Sequence, residues 1–206
     1  MIIIFIILSF WYFWSFTYFL KYSIPLIVPI LYITAYSLTR ASIGFLYPLK
    51  SEILGLELYS VYLLSFLTTL TQMISTSLAS FISAKNLNKI TLISIPLLSL
   101  ILFLFGINSN YYVFIVLFLL VGFLGGLLYG VGLKIFLSYD IKENTSKYPY
   151  IIESLLGTFF LIAPIVSGFI VLLDLNLPFY LFSLIVFLLF VLDIIFSSKI
   201  KENNKH

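Results

Sequence analysis

The chain has no cysteine, and its one histidine is the last residue, His206. The first absence excludes disulfides, thiolate metal sites and thiol nucleophiles. The second removes imidazole general bases and most metal-assisted hydrolysis from the interior. Charge is scarce as well: 9% of the 206 residues are charged and 62% are hydrophobic. A soluble domain of this length cannot cover so much apolar surface with so little polar exterior, so the bilayer is the expected solvent and partner. The net charge of +3 is no nucleic-acid footprint, because the basic residues stand in short gaps beside apolar runs, where they act as orientation signals. There is no G-x-S-G or G-x-G-D run and no cluster of polar catalytic groups at one depth. No catalytic residue, metal or cofactor is therefore expected, and an integral-membrane enzyme is the weaker alternative.

What is present is a series of long apolar runs. The opening, MIIIFIILSFWYFWSFTYFLK, lacks a basic n-region and a small-residue cleavage site, so it reads as a membrane segment and not as a signal peptide. About 20 apolar residues cross the ~30 Å hydrocarbon core. On that measure the spans are 2–20, 24–48, 58–83, 90–106, 111–136, 149–173 and 178–198. The runs are too long, and alternate too little, for barrel strands. The prediction is an all-α integral membrane protein with seven transmembrane helices. Residues 1–23 form an additional N-terminal helix, 24–198 a six-helix unit and 199–206 a polar tail. The connections are 49–57, 84–89, 107–110 and 137–148, the last being the longest.

Nine of the eleven basic residues fall in alternate gaps or, for Lys134, at the edge of one: Lys21, Lys85, Lys89, Lys134, Lys142, Lys147, Lys199, Lys201 and Lys205. Lys50 stands alone in a gap on the other side, and Arg40 lies within a span. The positive-inside rule puts the nine in the cytoplasm, so the expected topology is a multi-pass protein of the cell membrane with its N-terminus outside and C-terminus inside. The last span holds no lysine, which excludes a retinal Schiff base there.

Arg40 is the sharpest single residue. Some 16 residues into its span, roughly 24 Å along, it is expected in the outer half of the bilayer, where a charge is costly and usually functional. Tyr32, Tyr36 and Tyr47 share its helix face. An arginine among phenols suits an anionic or aromatic solute. The other reading is snorkelling to the headgroups or pairing with Glu52 or Glu57. Ser65, Thr68, Gln72, Ser75 or Thr76, Ala79 and Ser83 make a polar stripe that must face protein or water. Gly122, Gly126 and Gly130 repeat every four residues, a spacing that lets two helix backbones approach. Gly125, Tyr129 and Gly132 form a neighbouring stripe. Glu153 and Asp193 are read as structural ion-pair partners, and Asp174 as a solvated rim residue. The Asn144 sequon falls on the cytoplasmic side, where glycosylation is not expected.

Residues 24–198 resemble one half of a major facilitator superfamily transporter, the C-terminal half more than the N-terminal. The turn Ser80-Phe-Ile-Ser-Ala84-Lys85-Asn86-Leu87-Asn88-Lys89 resembles the family's G-x-x-x-D-[RK]-x-G-[RK]-[RK] pattern. Lys85 and Lys89 match its basic positions and Ser80 is small, but Ala84 replaces the acid and Leu87 the inner glycine. Phe45-Leu-Tyr-Pro48, Leu54-Gly55-Leu56 and Ala163-Pro164-Ile-Val-Ser167-Gly168 resemble further family passages, with Pro164 and Gly168 as packing positions. The resemblance implies a half-size or fragmentary secondary transporter for a small solute. It would work with a second half, as a homodimer or with a separate chain. Tyr32, Tyr36, Arg40, Tyr47, Gln72 and Tyr129 are the pathway candidates. A non-transporting accessory or structural membrane protein, or a truncated product, is the alternative that the departures from the motif favour.

Overall fold

The computed structural model describes residues 24–82, 87–143 and 146–203. The expected helix over 2–20, Lys85 and the Asn144 sequon lie outside them, as does the side chain of Lys89. The described residues form six helices: α1 (Ile27–Ile53), α2 (Leu58–Ala79), α3 (Leu87–Ile107), α4 (Tyr111–Glu143), α5 (Lys147–Val171) and α6 (Leu177–Asn203). Five of them contain stretches long and apolar enough to cross a membrane: 58–79, 90–107, 111–143, 147–171 and 177–196.

The sixth, α1, is not among the five because it carries tyrosines, serines, threonines and Arg40. It is also the innermost helix and packs on each of the other described helices. Its side chains meet protein, so it needs less apolar character than helices whose outer faces carry Phe169, Leu172 and Leu184.

Three helices run well past the spans that the sequence predicts, and one of them is α6, which is helical to Asn203 where a polar tail over 199–206 is expected. α1 continues through Pro48 to Ile53, which shrinks the expected 49–57 connection to 54–57. α4 continues to Glu143, so most of the expected 137–148 loop is helical. Polar residues end an apolar run without ending a helix, because a helix past the hydrocarbon edge still satisfies its own backbone. Asp140 fastens the end of α4 to α5 by accepting a bond from the Tyr148 N–H at 3.2 Å. The stop after α1 is local chemistry. Gly55 takes φ +66°, and the N–H groups of Gly55 and Leu56 return to the carbonyls of Glu52 and Ser51. That is a Schellman cap, in which a glycine costs least.

Packing follows a repeated pattern. α2 lies on α4 as α5 lies on α1, and α3 lies on α4 as α6 lies on α1. The remaining large contacts pair α1 with α4 and α3 with α6. The triples α1–α3 and α4–α6 therefore have matching neighbours. Each triple has an odd number of helices, so α1 and α4 run in opposite directions. Ser99 and Ser183 join α3 to α6, each hydroxyl donating to the other's carbonyl at 2.8 Å.

The α2–α4 contact is the most extensive, and the glycine stripe makes it. A Cβ at Gly122 would stand 2.3 Å from the Thr68 carbonyl oxygen, and one at Gly126 would stand 2.6 Å from that of Gln72. At Gly130 it would meet the Ala79 methyl at 2.6 Å. Ser75 and Thr76 donate across the contact to the carbonyls of Gly122 and Gly126, at 3.3 and 3.1 Å. The neighbouring stripe faces α1, where Gly125 lies against the Tyr36 ring and Gly132 against Ile33. Gly168 has open space where a Cβ would stand, so it makes no close approach to the described residues.

Two buried lysines close the ends of the bundle. Lys50 donates to the carbonyls of Phe105 and Gly106, both at 2.6 Å, and to Asn176 Oδ1 at 2.9 Å. Lys134 donates to the carbonyls of Ser80 and Ile82 at 2.9 and 3.0 Å. Each lysine occupies the same position counted from the start of its helix, and each satisfies carbonyls that a helix C-terminus leaves without partners. Lys50 is thus a helix clamp and not a loop charge. With it removed from the count, every basic residue in a gap belongs to the lysine-rich side.

Candidate functional site

α2 and α5 flank α1 and have no substantial contact with each other. Between them α1 is left open along a cleft of about 200 Å³, lined by Arg40, Gly44, Tyr47, Ser65, Phe118 and Phe160 among others. Arg40 is the middle residue of α1, about 20 Å from either end at 1.5 Å per residue. In the span read from the sequence, 24–48, it lies past the middle. The helix extends past Pro48, so its midpoint moves onto the arginine.

Arg40 Nη2 donates to Thr69 Oγ1 at 3.1 Å, and Thr69 in turn donates to the Ser65 carbonyl at 2.9 Å. Among the described residues no carboxylate lies within 4.0 Å of the guanidinium; the one ion pair there is Glu143–Lys147. The expected alternative of pairing with Glu52 or Glu57 is not formed. One helical turn from Arg40, the Tyr36 hydroxyl accepts a 2.6 Å bond from Gln72 Nε2. The Tyr36 and Tyr129 rings stand 5.1 Å apart at 40°. Four of the pathway candidates therefore form one neighbourhood: Arg40, Tyr36, Gln72 and Tyr129.

The other two lie deeper in the bundle. Tyr32 is buried, with its hydroxyl donating to Thr91 Oγ1 at 3.0 Å and the fully buried Asp193 beside it. Tyr47 stands edge-on to Phe105, Phe114 and Phe118, so it is chiefly a core residue that borders the cleft. The polar stripe of α2 also divides. Thr68, Ser75 and Thr76 are turned to or bonded across the glycine contact, whereas Ser65 and Thr69 are exposed beside Arg40. In the turn motif, the carbonyl of Ser80 accepts from Lys134.

Sequence reasoning missed Thr69, although it stands four residues after Ser65 on the same face. It also missed Phe160, which only the fold brings to Arg40. Glu153, Gly157 and Phe160 stand at i, i+4 and i+7 on α5, so Glu153 shares the cleft-facing side, and it is exposed. Among the described residues no group of His, Cys, Asp and Glu could hold a metal ion. The chain matches no known family model, no curated protein and no solved structure.

Proposed function

We propose that the chain is one half of a secondary transporter of the major facilitator type, and that it carries a small solute along the cleft between α2 and α5. The observation that carries this reading is the gathering of Arg40, Thr69, Gln72 and Glu153 on the face where α1 stands open between α2 and α5. Groups of this kind at membrane depth must face water or protein, not lipid. The matching neighbours of α1–α3 and α4–α6, with α1 and α4 antiparallel, agree with it. Inverted three-helix repeats within a six-helix half are the plan of such transporters, and their solute sites lie near the bilayer midplane, at the depth of Arg40. The lysine-rich end is cytoplasmic and the Lys50 end external.

An open polar face needs a cover, and the cover proposed is a second copy. Two parallel copies related by an axis along the membrane normal would set α2 of one against α5 of the other and enclose the cleft. An accessory protein without transport is the second reading, favoured by Ala84 and Leu87 in the turn motif.

Uptake by liposomes containing the purified full chain tests this. A panel of small anionic, neutral and cationic solutes should include at least one taken up faster than by protein-free liposomes. Gln72→Leu, which frees the Tyr36 hydroxyl, should cut that uptake about tenfold, in line with loss of one buried hydrogen bond. Leu184→Ala, on the outer face of α6, should leave it unchanged. Uptake equal to protein-free liposomes for every solute would leave the accessory reading.

A further inference from the structure

Resting on the transport reading above, we infer that the cleft binds a monocarboxylate with a small apolar body, its carboxylate held by Arg40. A guanidinium offers five N–H donors in a planar fork that fits a carboxylate by two parallel bonds. In Arg40 one donor meets Thr69 Oγ1, and among the described residues no carboxylate of the chain is within ion-pair reach of the rest. An arginine at membrane depth without a counter-charge is costly to keep ionised. A bound anion removes that cost, which makes the charge itself a source of affinity.

The count of charges sets the class. Lys50 lies about 15 Å further along α1, and its three ammonium hydrogens are taken by the acceptors at Phe105, Gly106 and Asn176. Lys134 is bound to the end of α2. Among the described residues, the cation that lines the cleft is therefore Arg40. Glu153 stands about 10 Å along α5 from Phe160, on the same side, and would repel a second negative group. The rest of the lining decides the body of the ligand. Ile43, Tyr47, Val61, Phe118 and Phe160 offer apolar and aromatic surface and few groups for a sugar or a polyol.

The same chemistry belongs to a water-soluble acid and to a fatty acid taken from the bilayer. Benzoate, butyrate and decanoate are the probes, with benzamide as the neutral counterpart of benzoate. Thermal stabilisation of the detergent-solubilised full chain and isothermal titration both read binding. Benzoate or butyrate should bind at least tenfold more tightly than benzamide. Arg40→Gln should lose at least tenfold of that affinity, and Arg40→Lys should recover part of it. The wild-type comparison of benzoate with benzamide needs no variant, so a folding defect in Arg40→Gln does not blunt the test.

Binding of decanoate alone would keep the carboxylate assignment and overturn its aqueous source. Equal affinity for benzoate and benzamide, unchanged affinity in Arg40→Gln, or no binding of any of the three acids would overturn the inference. The two claims separate cleanly. Arg40-dependent binding without uptake supports the carboxylate site and contradicts transport. Uptake of a cation or neutral solute without acid binding does the reverse.

Discussion

Gly122→Ala should destabilise the folded chain by more than about 2 kcal/mol, and Gly122→Leu should leave almost no folded protein. The Cβ that alanine adds would stand 2.3 Å from the Thr68 carbonyl oxygen and 3.0 Å from its carbon. Both atoms belong to the backbone of α2, so no side-chain rotation relieves the clash. The helices must separate, and the Ser75 and Thr76 bonds to α4 lengthen with them. In a bilayer this loss is not offset by a hydrophobic drive to reclose, since lipid solvates the exposed faces equally well. The internal control is Gly157→Ala. None of the described residues lies within 4 Å of its new Cβ, so it should be neutral or stabilising by up to about 1 kcal/mol through helix propensity. Unfolding in mixed detergent and SDS, followed by circular dichroism, gives both values. One substitution type with opposite signs at two glycines is the signature of the packing described.

Lys50→Met should cost about 2–4 kcal/mol, although it removes a charge from a buried place. Methionine replaces the lysine stem but leaves the carbonyls of Phe105 and Gly106 and the Asn176 side chain without their donor. Each buried polar group so orphaned costs about 1–3 kcal/mol. The Nζ also lies 5.5 and 5.8 Å from the Phe179 and Phe114 ring centroids, a cation–π contribution that methionine loses. The measurable result is a lower apparent Tm in detergent with no change in orientation across the membrane. A shift in topology instead would mean that Lys50 acts as a loop charge after all.

The sequence made the helices legible because lipid-facing runs must be apolar over a fixed length. It also made the glycine stripe legible, since a spacing of four needs no knowledge of the partner. The partner itself was not, because α2 reaches α4 through the fold. The ends were misjudged where polar residues continue a helix beyond the apolar run, at Ile53, Glu143 and Asn203. The first of these displaced Arg40 from the middle of its helix. Lys50 was misjudged because its three acceptors lie 55, 56 and 126 residues away in the chain. Of the six pathway candidates, the helical face of α1 grouped Tyr32 and Tyr47 with Arg40. The structure turns them toward Thr91 and toward a cluster of phenylalanines, and puts Thr69 and Phe160 beside the arginine instead.

The central claim is that the open face around Arg40 is covered by a second copy. The absence of cysteine makes the chain suited to a direct measurement. A variant carrying Thr69→Cys on α2 and Gly157→Cys on α5 is treated with a short bismaleimide in native membranes, beside Leu184→Cys on the outer face of α6. A covalent dimer from the first and little from the second is the predicted result. Monomer alone from the cleft variant, or equal dimer from both, would contradict the account.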